Sequence, residues 1–208
     1  MPIGIPEIEL DEYFTFMLED EEDEEQDNWV DIVLIHLLYN DRVLFLFDEI
    51  DTENTNDLIA LLLDLNQEEN IYYDFSLLIN SSGGSLGLGL SIYNTMQCLE
   101  PGVQTICVGL AASMASLILA GGTRSKRCAF PHAGRRVMMH QPRGDFKKDY
   151  PIRIIQEVDE LVTVWKSVMQ IFAQKTGQPL KIIVEDLQRD FFLSATEAKT
   201  HGIIDLII

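Results

Sequence analysis

Apolar and polar positions follow one another along this chain in blocks that read as strand, helix, strand, helix. Val43-Leu44-Phe45-Leu46-Phe47 is a short continuous apolar run and predicts a buried strand. Thr52 then stands as the cap of a helix reaching Asp64, with Leu58, Leu61, Leu62 and Leu65 as its apolar positions. Phe75-Ser76-Leu77-Leu78-Ile79 predicts a second strand, followed by a Ser/Gly turn and a helix through Met96. Val103-Gln104-Thr105-Ile106-Cys107-Val108 predicts a third, leading into the small-residue run 111–122, which reads as buried helix. This order at this spacing implies parallel strands joined by right-handed crossovers, an α/β class. Residues 127–130 and 136–139 predict further strands, and a long helix is predicted over 152–174, ended by Gly177 and Pro179. A short helix precedes Phe191-Phe192-Leu193, and another begins at Ser194 with Glu197 completing a capping box.

The chain has 208 residues, 47% of them hydrophobic, enough for one well-buried domain and too few for two ordinary ones. No apolar run reaches the roughly 20 residues that span a bilayer, so no membrane insertion is expected. The acidic start resembles neither a secretory signal nor an Arg-rich transit peptide; the protein works where it is made or has lost its targeting segment. Cys98, Cys107 and Cys128 lack disulfide or metal spacing and read as three buried thiols in a reducing compartment.

Charge changes the picture at one place. The formal charge is −19, but residues 1–27 carry twelve acids and no base, leaving residues 28–208 with 22 acids and 15 bases. The like-charged run 19–27 predicts a solvated stretch, and the ordered domain is expected to start at the caps Asp27-Asn28, ahead of Trp29 and a helix over 32–38. Without clustered Lys and Arg, no nucleic-acid partner is expected.

Candidate chemistry sits at the turns. Asn80-Ser81-Ser82-Gly83-Gly84 follows a strand and opens a helix, where backbone N–H groups converge on an anion or oxyanion, or glycine merely serves the turn. No phosphate-loop motif occurs. In Gly109-Leu110-Ala111-Ala112-Ser113-Met114-Ala115-Ser116 a serine lies between strand and helix, where a sharp turn presents its Oγ; the G-x-S-x-G pattern is absent, and Ser116 is the local competitor. Of four histidines, His36 reads as packed, His132 as a turn residue and His201 as a helix-end residue favoured by the dipole. His140 ends the apolar stretch Val137-Met138-Met139 before Gln141-Pro142, a strand terminus suited to holding an imidazole at a cleft.

Four blocks, Asn80 to Gly84, Gly109 to Ser116, Met138-Met139-His140-Gln141-Pro142 and Asp190-Phe191-Phe192-Leu193-Ser194-Ala195-Thr196-Glu197-Ala198, occur in the order of the Clp protease proteolytic subunit. The resemblance runs from about Trp29 to Ile207, and the start Met1-Pro2-Ile3-Gly4-Ile5-Pro6 is similar to the plastid-encoded branch of that family. It implies a crotonase-like α/β (ClpP) fold for residues 28–208 with a projecting handle helix over about 141–175, and an acidic N-terminal segment, 1–27, that is mobile or pore-associated. It implies a serine endopeptidase in which Ser113 is the nucleophile, His140 the general base and Asp190 the carboxylate orienting it, with the Gly84 and Met114 N–H groups as oxyanion hole. It implies stacked heptameric rings of homologous subunits, an AAA+ Clp unfoldase as partner, unfolded polypeptides as substrate and the chloroplast stroma as location. No cofactor or metal is implied for this chain, ATP being used by the unfoldase.

Ser82 stands where the family usually has proline, Gly134-Arg135 reads as a two-residue insertion, and the run 19–27 is unusually acidic. Two further readings stay open: a non-catalytic structural subunit of a mixed Clp ring, and a crotonase-type acyl-CoA enzyme.

Overall fold

The computed structural model describes residues 37–67, 73–131, 137–142 and 151–208. The expectations for the segment 1–27, for Trp29, for His36 and His132, and for Gly134-Arg135 lie outside those residues. The chain divides into two compact units, Met1–Leu38 and Tyr39–Ile208. The architecture below is that of the second.

Elements follow in the order β1 (Val43–Leu46), α1 (Thr52–Gln67), β2 (Phe75–Ser81), α2 (Leu86–Cys98), β3 (Val103–Ala112), α3 (Met114–Gly121), β4 (Arg127–Ala129), β5 (Val137–Met139), α4 (Pro151–Thr176), α5 (Leu180–Leu187), β6 (Phe191–Leu193), α6 (Ala195–His201) and β7 (Leu206–Ile207). The strands form one sheet in the order β1-β2-β3-β4-β7, every neighbouring pair parallel. The alternating strands and helices of the sequence therefore become an α/β sheet of the expected kind. β3 is long enough to hold two neighbours on one edge. Its first half pairs with β4, and its last two residues, Ala111 and Ala112, pair with β5. β6 then joins β5 antiparallel. This small addition lies at the carboxyl end of the parallel strands, where open α/β sheets place their sites.

Alternation along β2 buries Phe75, Leu77 and Ile79 completely. Every residue of α3 is buried, as a helix apolar on all sides apart from Ser116 is expected to be. The small-residue run was expected to be helix from position 111. Its first two residues instead extend β3, because Ala111 and Ala112 complete a ladder with β5 before the chain turns.

Four other expectations need correcting. β1 is not buried throughout: Phe45 and Phe47 are 39% and 45% exposed and pack edge to face on each other at 5.2 Å. Alternation sends Leu44 and Leu46 to the core and leaves Phe45 on the same face as its partly buried neighbours across the sheet, Leu78 and Ile106. Asp51, not Thr52, caps α1, its Oδ1 accepting from the Asn54 N–H at 2.9 Å. Leu61 is exposed while Leu58, Leu62 and Leu65 are buried. Cys107 and Cys128 are buried, but Cys98 is exposed. It stands two residues beyond buried Met96 on α2, about 200° round the helix and so on its outer side.

α4 runs 26 residues, two further than predicted at its carboxyl end, and is about 39 Å long. It stops where Gly177 takes φ +79° and donates to the Ala173 carbonyl at 2.9 Å. Val168 and Phe172 bury its second half in the core, whereas Ile155, Val158 and Val162 in its first half are exposed. Ser194 and Glu197 form the capping box that opens α6. No helix among the described residues is long and apolar enough to cross a membrane.

Candidate active site

Strand register brings the candidate residues together. In the β5–β6 ladder Met139 faces Phe191, so the next positions, His140 and Asp190, stand across from each other at its open end. In the β3–β5 ladder Ala112 faces Met138, which sets Ser113 beside the same end of β5. Its N–H donates to the Met138 carbonyl at 2.8 Å.

Ser113 leaves β3 with φ 55° and ψ −124°, a conformation that a residue with a Cβ adopts at a cost of about 1–3 kcal/mol. α3 starts at the next residue, so the Met114 N–H is one of the helix's first donors, which have no acceptor within the helix. Ser116 is fully buried, and its Oγ donates to the Ser113 carbonyl at 2.6 Å while its N–H does so at 3.0 Å. The local competitor therefore braces the elbow and is not itself presented.

The Ser/Gly turn packs against this elbow. A Cβ on Gly83, whose φ is +89°, would stand 2.7 Å from the Ser113 Cβ and 2.5 Å from the Ala112 carbonyl oxygen. A Cβ on Gly84 would stand 2.4 Å from the Ile50 carbonyl oxygen. Only glycine fits at either place. A parallel bridge ties the turn to Ile50, whose N–H donates to the Gly83 carbonyl at 2.8 Å and whose carbonyl accepts from Ser85 at 3.0 Å. That bridge does not use the Gly84 N–H. Ser81 adds two bonds, donating from Oγ to the Asp48 carbonyl at 2.5 Å and accepting from the Gly83 N–H at 3.1 Å. The turn with Ser82 in place of proline is thus held by four hydrogen bonds.

A cavity of about 480 Å³ is lined by Ser113, Met114, His140, Gly83, Gly84 and Ser82, with Glu49, Ser85, Leu86, Met138 and Pro142 completing its wall. On the other side of the imidazole, a second cavity of about 320 Å³ holds Asp190 with Gln141, Gln188 and Arg189. His140 Nδ1 lies 3.6 Å from Asp190 Oδ1, a charge contact longer than a hydrogen bond. The imidazole is 14% exposed and the carboxylate 42%.

Gly83 and Met138 touch Ser113; the sequence placed them within the Ser/Gly turn and the His140 block but gave neither a role of its own. The strand position of Met138, two before a histidine, is a faint signal; the contact of Gly83 arises only in three dimensions. His201 does not join this cleft. Its Nε2 bonds Asp186 Oδ2 at 2.8 Å, a partner the helix-end reading did not foresee. No group of three His, Cys, Asp or Glu side chains among the described residues is placed to hold a metal.

A parallel sheet that ends in a strained serine beside an imidazole places the protein in the serine-peptidase class. Residues 23–208 match the Clp protease family. An ATP-dependent Clp protease proteolytic subunit of Glycine max is 47% identical over 208 residues, covering all of this chain and 98% of that protein. Subunits of the same description from Morus indica and Nasturtium officinale are 46% and 45% identical over 207 residues, with the same coverage. The chain belongs to the Clp protease family.

Proposed function

We propose that this chain is a proteolytic subunit of an ATP-dependent Clp protease and hydrolyses peptide bonds of unfolded polypeptides. Ser113 Oγ attacks the scissile carbonyl carbon while His140 Nε2 takes its proton. The C–N bond breaks as His140 returns that proton to the leaving amine, and water, activated by the same imidazole, releases the acyl group from Ser113. Asp190 holds the imidazole in the tautomer with its proton on Nδ1 and stabilises the imidazolium as it forms. The Gly84 and Met114 N–H groups receive the oxyanion; donors of this kind are each worth about 2.7–4 kcal/mol. The observation that carries the reading is the single cavity lined by Ser113, His140, Gly84 and Met114, with Asp190 behind the imidazole.

The chain needs no cofactor for this chemistry. ATP is spent by a separate AAA+ unfoldase, consistent with the lack of any phosphate loop in the sequence. Homologous subunits assemble as stacked heptameric rings through the handle, α4. In support, its exposed half carries Ile155, Val158 and Val162 at helical spacing, an apolar stripe suited to a neighbour. Relatives from plants support a place in the plastid stroma.

A fluorophosphonate probe tests the site directly. Labelling of the wild-type protein at Ser113, absent in Ser113→Ala, is expected, together with a loss of peptidase activity on the order of 10⁴-fold or more. A wild-type protein that takes no label at Ser113 would instead be a structural ring subunit.

A further inference from the structure

Only three residues, 188–190, separate α5 from β6, and the last of them is Asp190. Its carboxylate is 42% exposed, so burial does little to hold it, and its 3.6 Å approach to His140 depends on where the backbone of this turn lies. One side chain touches the chain on both sides of the turn. The His201 imidazole bonds the Asp186 carboxylate at 2.8 Å, four residues before Asp190, and its ring lies 5.9 Å from that of Phe191, one residue after it, at 55°. The pair is drier than Asp190, with side chains 10% and 17% exposed. His201 is itself anchored. It closes α6, where Gly202, at φ +94°, donates to the Ala198 and Lys199 carbonyls, and its own carbonyl accepts from Gln178 Nε2 at 3.1 Å. The Arg189 guanidinium covers Phe191, the ring that His201 touches, at 5.9 Å.

We propose that His201 and Asp186 are positioning residues for peptide hydrolysis, a clamp that spans the 188–190 turn and sets Asp190 against His140. The inference rests on the catalytic reading of Ser113, His140 and Asp190 given above. Neither clamp residue touches substrate or the reacting atoms. Their effect is geometric: a shift of about 1 Å in a catalytic group costs on the order of 10²-fold in rate, and a contact already at 3.6 Å has no slack.

The test compares His201→Phe, which keeps a ring against Phe191 and removes the bond to Asp186, with Asp186→Leu, which removes the acceptor, and His201→Gln. All are measured in the full chain, in its assembled form, on a fluorogenic peptide. His201→Phe is expected to lower kcat about 10- to 100-fold with KM within about twofold. It also moves the acid limb of the kcat/KM profile to lower pH, because an imidazolium at His140 loses a nearby carboxylate. His201→Gln, with an N–H donor near the position of Nε2, recovers most of both effects. A general loss of stability would move neither the acid limb nor the response to Gln. Wild-type kcat and an unmoved acid limb in His201→Phe, with Ser113 labelled normally in the wild type, would overturn the clamp. Absence of label on wild-type Ser113 would instead remove the catalytic reading beneath it. Should His201→Phe fail to fold, Asp186→Leu, which keeps a branched side chain and offers Nε2 no acceptor, carries the same comparison: a kcat and acid limb equal to wild type overturn the proposal, and a lowered kcat with a shifted limb supports it.

Discussion

The two ends of the parallel sheet are built on opposite terms. At the carboxyl end Ser113, Gly83 and Gly84 all take positive φ, and the His140–Asp190 contact is long, with the carboxylate 42% exposed. At the amino end Arg127, 4% exposed, grips Asp205 with two hydrogen bonds of 2.8 and 2.6 Å and also donates to the Ala120 and Lys175 carbonyls. One guanidinium thus ties β4 to the ends of α3 and α4 and to the chain entering β7. Burial acts on Asp205 in the direction of a higher pKa, but the bonds and charge of Arg127 outweigh it and hold the carboxyl below its ordinary value of 3.8. Lys175, close by, is pushed the other way, lowered by burial and then by repulsion from Arg127 and Arg124. Arg42 and Ser125 also take positive φ, just before β1 and β4, but only at the carboxyl end does a strained residue line an open cleft, and the Arg127 bonds lock the opposite end.

Substitutions at the two ends should therefore separate stability from activity. The largest stability effect is expected from Arg127→Met, which strands the Asp205 carboxylate and two carbonyls. Urea unfolding should show a loss of about 3–5 kcal/mol, while Ser113 labelling per folded molecule stays at the wild-type level. Gly83→Ala reverses that pattern. The new Cβ meets the Ala112 carbonyl and the Ser113 Cβ in a left-handed conformation, so peptidase activity and labelling fall steeply against a stability loss of about 1–3 kcal/mol.

Acid should weaken the locked end by the sign of the Asp205 shift. A carboxyl with a depressed folded-state pKa adds stability above its unfolded value, and that stability is lost as pH falls through the folded value. The gap in urea midpoint between wild type and Asp205→Asn is expected to be full near neutrality and to close below about pH 4. A gap that is independent of pH would mean that the carboxylate's charge is not what holds Arg127. Ser194→Ala, which removes the α6 cap near the Asp190 turn, should cost only about 1 kcal/mol by thermal unfolding.

Local pattern carried a large share of this structure. Alternation in residues 75–79 marked β2, the run of small apolar residues marked the buried α3, and Ser194 with Glu197 marked the start of α6, because these choices depend on neighbours a few positions away. Where a second element intervenes, local pattern misleads. Thr52 looked like a cap until Asp51 supplied the carboxylate, and Phe45 looked buried until alternation placed it on the less covered face of the sheet. Cys98 sat among apolar neighbours in the chain but on the outer side of its helix.

The sequence by itself determined which residues carry reactive groups, the order of strands and helices, and the family to which the chain belongs. Tertiary structure alone decided that Ser113, His140 and Asp190 gather at one strand end, that Ser116 is buried against the Ser113 carbonyl, and that His201 finds Asp186. The reason is physical: side-chain chemistry and short-range periodicity are written residue by residue, whereas these meetings depend on the register of β5 between β3 and β6. A slip of one position in that register would turn His140 to the other face and leave every local signal unchanged.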